Sequence, residues 1–279
     1  MEITKDLVLE INEAIKGQGY FVEETEVNKN RVIKKGLILK SFEGDNRVCP
    51  TLYVDGFENI DEVLDLISEV SKKGMPGFDM ERLMSRDYIL ENVRAQVVAA
   101  SNCMLTEGIV YREFLDLAIV YRVSVGAIDD GTGSYLVNEK ILAQAGLTEE
   151  ELFEVVSSDM RFNTVTMGQA LARAMGMEDD NEFFDGLDNI FIISNDSLIH
   201  GAGVLCSDYL KVVRDRFESD YYILPSSLHE VIVLKAEDGV VPTDLIEMVK
   251  EVNSTTVRPE DMLTDAVYKF DGNGLSKVA

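Results

Sequence analysis

The spacing of apolar residues along the chain predicts helices and strands in alternation. In the first part, one face of an amphipathic helix recurs over 3–16, and a second helical pattern covers 57–73. Between them, β-branched and aromatic residues predict strands over 20–27, 31–42 and 49–54. The first two of these strands form a predicted hairpin.

The middle of the chain contains a break and a long strand pattern. Gly74-Met-Pro-Gly77 combines strong helix and strand breakers and predicts a linker. Residues 79–105 are ambiguous between helix and strand. From 114 to 125 apolar and polar residues alternate, which predicts a long half-buried strand. A loop over 126–133 and a returning strand over 134–137 follow.

A helix start is encoded at Thr148-Glu-Glu-Glu151, which has the spacing of a capping box. Leu147 and Leu152 flank it at the positions of a hydrophobic staple. A shorter helix is predicted near 167–176, and an acidic loop over 178–188.

From residue 190 onward the chain returns to a regular rhythm of strands and helices. Strands are predicted at 190–193, 221–224, 230–234 and 266–270, and helices at 206–217 and 242–252. The strand at 266–270 is expected at a sheet edge, and the tail from Asp271 is expected to fray. These elements predict an α+β protein with mixed or antiparallel sheets flanked by helices. We expect an N-terminal lobe over 1–110 and a C-terminal lobe over 111–279, or one fused unit.

The charge excludes several classes of partner. The 279 residues contain 51 acidic and 26 basic side chains, for a net charge of −25. Such a surface repels phosphate backbones and anionic membranes, so we expect neither direct nucleic-acid binding nor membrane binding. It also permits an alternative, in which the chain imitates nucleic acid and occupies a basic cleft on another protein.

Cysteine use and the N-terminal residues predict a cytoplasmic protein. Cys49, Cys103 and Cys206 are far apart and odd in number, which favours buried free thiols over disulfides or a zinc site. The sequence lacks a signal-peptide pattern at its start and any apolar run of about 18 residues.

The segment from Ser226 to Glu230 is the first candidate site. His229-Glu230 lacks the second histidine of a zinc protease helix. Ser227 and His229 lie two residues apart, so they could share a strand face as nucleophile and base. The chain has no Gly-x-Ser-x-Gly elbow, and Ser226 and Ser227 could instead cap the backbone of a turn.

The second candidate is His200-Gly-Ala-Gly203, just before a predicted helix. Small residues there could cradle an anion, but Cys206 replaces the third glycine of a dinucleotide fingerprint. Gly201 and Gly203 could equally serve close packing.

The acidic stretches at 129–133 and 178–188 lack EF-hand spacing. We therefore predict no metal and no cofactor.

Five segments carry a resemblance to a known family. They are Ile223-Leu-Pro-Ser-Ser-Leu-His-Glu-Val-Ile232, His200-Gly-Ala202, Met248-Val-Lys-Glu-Val-Asn253 with Pro259-Glu260 behind it, Phe114–Val120 and Thr148–Leu152. In these segments the chain resembles an uncharacterised domain-of-unknown-function family of gut clostridia (Firmicutes) and their mobile elements. The resemblance implies a cytoplasmic bacterial protein and supplies no substrate, cofactor or catalytic residue.

Three hypotheses for the function remain open. The first is a non-enzymatic protein that acts through a protein partner. The second is the acidic inhibitor of a nucleic-acid enzyme, in defence or counter-defence. The third is a hydrolase or ligand-binding site around His200, Gly201, Ser227 and His229, which requires the two histidines to lie within about 10 Å of each other.

Overall fold

The computed structural model describes residues 1–43, 46, 49–73, 79–128, 131–178, 184, 186–187, 189–195, 200–237 and 239–278. The chain divides into two compact units, Met1–Met80 and Glu81–Ala279. The strand pairs that the structure describes are antiparallel, and helices flank the sheets. The predicted α+β class is therefore confirmed.

The first unit is a three-stranded sheet with two helices. Its elements are α1 (Lys5–Ala14), β1 (Tyr20–Lys29), β2 (Val32–Ser41), β3 (Thr51–Leu52) and α2 (Ile60–Lys73), and the sheet order is β1-β2-β3. These are the elements that the apolar spacing predicts, with a shorter third strand. The side chain of Asn12 ties α1 to β1, because its amide donates to the Val22 carbonyl at 2.9 Å and accepts from the Val22 N–H at 2.8 Å.

The second unit opens with two short helices and a four-stranded sheet. The elements are α3 (Met80–Leu83), which begins at the last residue of the first unit, α4 (Arg86–Asn92), β4 (Val93–Ala99), β5 (Tyr111–Phe114), β6 (Leu117–Ile128) and β7 (Gly131–Leu136). Strand β6 is central, with β4 along one edge and both β5 and β7 along the other.

The prediction of one half-buried strand from 114 to 125 is wrong in two respects. The chain reverses at Leu115 and Asp116, where Leu115 has a φ of 58° and Phe114 pairs with Leu117 across the turn. From Leu117 to Tyr121 every side chain is at most 1% exposed. Both faces of this part of β6 are therefore covered, and the polar residues of the pattern fall at the turn or beyond Tyr121.

A six-stranded sheet and its helices complete the second unit. The elements are α5 (Glu139–Ala145), α6 (Glu149–Ser157), β8 (Phe162–Thr166), α7 (Met167–Ala174), β9 (Ile190–Asn195), a 3-10 helix (Gly201–Cys206), α8 (Tyr209–Phe217), β10 (Tyr221–Leu224), β11 (Glu230–Lys235), α9 (Pro242–Thr255), β12 (Val267–Phe270) and β13 (Leu275–Val278). The strand order is β13-β12-β10-β11-β9-β8.

The C-terminal tail differs from the prediction. Residues after Asp271 do not fray, because β13 pairs with β12 and makes β12 an internal strand. The carboxylate of Asp271 accepts hydrogen bonds from the N–H groups of Asn273 and Gly274 at 2.9 and 3.1 Å and so closes the turn between the two strands.

The single helix predicted over 206–217 is divided in the structure, since a 3-10 helix ends at Cys206 and α8 begins at Tyr209.

The two units divide at residue 80, whereas the sequence analysis placed the lobe boundary at 110. Strand pairing explains why the second unit begins before residue 110, because β4 lies before that residue and forms a seven-residue ladder with β6. The lobes 1–110 and 111–279 stay a prediction about how the chain folds. The predicted linker at 74–77, Asp129 and Asp130, and most of the acidic loop at 178–188 lie outside the described residues.

One apolar core joins the two sheets of the second unit. It contains Val97 and Ile119 from the first sheet and Ile193 and Val231 from the second. The three cysteines are free thiols. Cys49 and Cys103 are partly exposed and not buried as predicted, whereas burial raises the pKa of the Cys206 thiol to about 12.

Three fully buried tyrosines mark this core, and each places its hydroxyl group on an acceptor, which removes the cost of burying a polar atom. Tyr221 donates to the Leu210 carbonyl at 2.8 Å, Tyr268 donates to Asp116 at 2.6 Å, and Tyr121 donates to Glu149.

The capping box at the start of α6 is confirmed. The Glu151 N–H donates to the Thr148 hydroxyl at 3.3 Å, and the Glu151 carboxylate accepts from the Thr148 N–H at 2.9 Å. Arg86 also donates to this carboxylate. These bonds, from Arg86 first and Thr148 second, lower the pKa of Glu151 to about 2.

We expect Thr148→Ala to lower the free energy of unfolding by about 1 kcal/mol, because one backbone N–H of α6 loses its acceptor. Chemical denaturation of the full chain measures the change. Thr243→Ala is the matched control, since Thr243 lies in the first turn of α9 and its hydroxyl contacts only the adjacent Asp244 side chain in the bonds described. Equal losses in the two variants would contradict the capping assignment.

Candidate functional site

The segment from His200 to Gly203 is held by close packing. The Gly201 N–H donates to the His229 carbonyl at 3.1 Å, and the Ala202 N–H donates to the Leu228 carbonyl at 3.0 Å. A Cβ atom on Gly201 would lie 2.2 Å from the His229 carbonyl oxygen, and one on Gly203 would lie 2.8 Å from the Ala95 carbonyl oxygen. At both positions, glycine therefore allows two backbone segments to approach more closely than any larger residue would permit.

This geometry decides between the two interpretations of His200-Gly-Ala-Gly203. The Gly203 N–H donates to the His200 carbonyl at 2.9 Å, so all three amide groups from Gly201 to Gly203 bond within the protein. An anion cradle would need those amides to face a ligand. The packing role is the one the structure supports, and His200 itself adopts a left-handed conformation with a φ of 59° to enter the 3-10 helix.

His229 is fixed through both of its ring nitrogen atoms. Its Nδ1 atom accepts from the His200 N–H at 3.5 Å, and its Nε2 atom lies 3.0 Å from the Asp261 Oδ1 atom. Because Nδ1 is the acceptor, the neutral ring carries its proton on Nε2 and donates it to Asp261. The ring thereby connects three segments of the second unit.

The serines beside His229 make a turn. The Ser227 hydroxyl accepts from the His229 N–H at 3.1 Å, and the Ser226 carbonyl accepts from the Leu263 N–H at 3.0 Å. Ser227 also forms an isolated bridge with Met262. Glu230 is exposed at the first position of β11. The contacts in this turn are those of a backbone cap, since the bonded partner of the Ser227 hydroxyl is an amide and not the imidazole ring.

The structure brings most of the predicted site residues together. The ring centroids of His200 and His229 are 6.1 Å apart, inside the 10 Å limit set for a shared site. Gly201 packs on His229, and Ser227 bonds to its backbone. Glu230 is exposed on β11, where it pairs with Ser194 of β9.

A cleft opens beside His200, and most of its lining was missed by the sequence analysis. Its volume is about 250 Å³. Polar side chains and apolar ones share the wall, together with Gly203. The polar residues are Arg94, Asp159, Arg161, Asn195 and His200, and the apolar ones are Ala95, Val156 and Phe162.

Asp159 organises the charges of the cleft. Its side chain is only 9% exposed, and its Oδ1 atom accepts from the Arg161 Nε atom at 2.6 Å and from the Arg161 N–H at 3.1 Å. The Nε atom of Arg94 lies 3.8 Å from the Oδ2 atom. Burial lowers the pKa of Arg94, Arg161 lowers it further, and Asp159 acts in the opposite direction. Two guanidinium groups thus share one carboxylate.

These residues gave only a weak signal in the sequence. Arg94 interrupts the apolar run of β4, in a region where neither period was clear, and Asp159 and Arg161 follow the end of α6. A charged residue inside an apolar strand and an acid–base pair after a helix are each common. Their convergence depends on β4 and α6 approaching the same 3-10 helix, which local spacing does not encode.

The comparison with known families agrees with the resemblance noted above. A family model matches residues 2–272, and its description is a family of unknown function, DUF5688. The chain belongs to DUF5688. Comparison with curated proteins and with solved structures found no significant match. The clostridial origin and the mobile-element setting stay predictions.

Two features are absent from the described part of this DUF5688 chain. None of its helices combines the length and the apolar character needed to cross a membrane. In the same residues, no three histidine, cysteine or acidic side chains are grouped so that they could hold a metal ion.

For this DUF5688 chain, we expect Gly201→Ala to lower the free energy of unfolding by about 3 kcal/mol, because the new Cβ atom collides with backbone and not with a movable side chain. Gly274→Ala is the matched control, since a Cβ atom there meets nothing within 4 Å. Denaturant titration of both variants measures the difference. A Gly201→Ala protein as stable as the control would refute the packing role.

We expect alanine substitutions at Ser226, Ser227 and His229 to change folding stability and not turnover of any substrate. His229→Ala should cost about 1–2 kcal/mol, because it removes the ring's bonds to His200 and Asp261, and Ser227→Ala about 1 kcal/mol, because the His229 N–H loses its acceptor in the turn. Thermal and chemical denaturation measure these losses. An activity that one of these variants loses while it melts like the unmodified protein would contradict the structural assignment.

Proposed function

We propose that this DUF5688 protein acts by binding, and that its second unit recognises a ligand in the cleft beside His200. The observation that carries the proposal is the pair Arg94 and Arg161 around the nearly buried Asp159. Charged donors in a concave site are the groups that orient a polar ligand.

Binding is favoured over catalysis by the state of the neighbouring histidine. A general base needs a ring nitrogen within hydrogen-bond reach of the proton it removes. In His229 one ring nitrogen faces a backbone N–H and the other faces Asp261. The Ser227 hydroxyl bonds to an amide, so the nucleophile and base of the hydrolase hypothesis do not meet as a pair.

The hypothesis of a protein partner fits within this proposal, because the ligand can be a free molecule or part of another protein. A cytoplasmic location is part of the proposal too. It is supported by three cysteines that do not pair, as is usual in reducing compartments.

A second candidate function rests on one helix of the first unit. Asp61, Asp65 and Glu69 are exposed and recur every four residues along α2. Side chains at this spacing lie on one helix face, so they form a stripe of negative charge. With the net charge of −25, the stripe supports the hypothesis of an acidic inhibitor that occupies a basic cleft on a nucleic-acid enzyme.

The test is affinity capture with the full chain and with an Arg94→Gln/Arg161→Gln variant. Both are immobilised and exposed to lysate of the host at low and high salt, and mass spectrometry identifies bound proteins and small molecules. We expect a ligand that the unmodified chain retains and the variant loses, recovered chemically unchanged.

Three other outcomes are informative. A captured molecule recovered as a reaction product would overturn binding in favour of catalysis. Capture of the same ligand in equal amounts by both proteins would show that the cleft is not the binding site. A protein captured by both and released at high salt would favour the acidic stripe of α2, since salt screens exposed charges.

A further inference from the structure

The cleft beside His200 carries a positive charge inside an acidic protein. Among the described lining residues, Arg94 and Arg161 contribute two guanidinium groups and Asp159 contributes one carboxylate. The side chain of Arg94 is 33% exposed, so its charge is partly withdrawn from water. The described lining residues therefore carry one net positive charge that a bound anion can balance. The inference that follows rests on the proposed binding function.

Both arginines keep hydrogen-bond donors for that ligand. In the bonds described, Arg94 donates from Nη1 to the carbonyls of Val93 and Glu91 at 2.6 and 3.4 Å, which leaves its Nη2 group. Within the described contacts, Arg161 uses its Nε atom for Asp159, and its side chain is 48% exposed. A guanidinium group has five N–H donors, so the two terminal NH2 groups of Arg161 can bind a planar oxyanion. Paired, charge-assisted bonds of this kind are stronger than bonds between neutral groups.

The start of the 3-10 helix offers no competing anion site. The amide groups of Gly201, Ala202 and Gly203 are all donated to carbonyl oxygens of the protein. An anion in the cleft would therefore be held by side chains. Side chains that supply a single net positive charge match a monoanion better than a doubly charged phosphate, because excess negative charge would face Asp159.

The remaining wall and the size of the cleft limit the rest of the ligand. Val156 is 2% exposed, and Phe162 packs against Tyr209 with ring centroids 5.5 Å apart. These side chains and Ala95 form an apolar surface beside the charged one. A volume of about 250 Å³ is below the usual range of about 300–1,000 Å³ for drug-sized ligands, so the ligand is a small one.

We infer that the cleft binds a small monocarboxylate, with the carboxylate on Arg94 and Arg161 and an apolar substituent against Phe162 and Val156. Free organic acids and the C-terminal residue of a peptide share this chemistry. In both kinds of ligand the carboxylate lies next to an apolar group, just as the charged and apolar parts of the cleft wall lie next to each other.

The experiment is isothermal titration of the full chain with benzoate, its neutral analogue benzamide, inorganic phosphate and N-acetyl-leucine. We expect benzoate to bind at least about tenfold more tightly than benzamide, since charge-assisted bonds contribute most of the difference. Benzoate should also bind more tightly than phosphate. Binding of benzoate alone identifies a free acid as the source, and tighter binding of N-acetyl-leucine identifies a chain terminus.

Arg161→Gln tests the assignment, and Arg216→Gln is the matched control because Arg216 is an exposed arginine on α8 outside the cleft. We expect Arg161→Gln to weaken benzoate binding about tenfold or more and Arg216→Gln to leave it unchanged. Both side chains are exposed, so both variants should fold, and their melting curves verify this. Equal benzoate affinity in the two variants would overturn the inference.

Asp159→Asn tests the charge balance by a different route. The amide oxygen keeps an acceptor for Arg161, while the negative charge disappears. We expect phosphate to gain affinity relative to benzoate in this variant, and an unchanged ratio would contradict the matching of a monoanion to the site.

The results also separate this inference from the proposed function. Absence of benzoate and N-acetyl-leucine binding, together with a captured ligand that depends on Arg94 and Arg161, would overturn the carboxylate and leave the binding function standing. Absence of both would overturn both.

Discussion

The second unit depends on one close approach between backbone segments. The 3-10 helix from Gly201 to Cys206 contacts β4 of the first sheet through Gly203 and the start of β11 in the second sheet through Gly201. Hydrogen bonds from Gly201 and Ala202 to the carbonyls of His229 and Leu228 hold it there. Glycine is required at both contacts because a Cβ atom would lie within 3 Å of a carbonyl oxygen. This segment lets a single apolar core pass from one sheet to the other.

The candidate site is a consequence of that approach. Where β4 and the 3-10 helix meet, Arg94 on the strand comes close to Asp159 and Arg161, which follow α6. His200 begins the 3-10 helix in a left-handed conformation and lines the same cleft. His229 and Asp261 serve on the other side of His200 as a support, with the imidazole accepting from the His200 N–H. The packing role of the glycines and the charge of the cleft are therefore two results of one geometry.

The cleft also changes the meaning of the net charge. A charge of −25 disfavours anionic partners for the molecule as a whole, because long-range fields repel them. Within about 4 Å, however, the charges and donors of particular side chains dominate, and among the described residues of the cleft these are two guanidinium groups and one carboxylate. A small anion can therefore suit the cleft even though a polyanion does not suit the surface.

Local spacing determined most of the elements of this DUF5688 chain. The helices from Lys5 and Glu149, the strands from Tyr20 and Tyr221, and the capping box at Thr148 follow from contacts within a few residues, which the sequence encodes directly. The reversal at Leu115, the added strand from Leu275 and the division at residue 80 followed from pairing between segments. The two histidines were recognisable as residue types, but their separation of 6.1 Å, the bonds of His229 and the meeting of Arg94 with Asp159 were decided only by the tertiary structure. A local pattern reports which face a side chain occupies, whereas the meeting of distant side chains depends on how whole sheets pack.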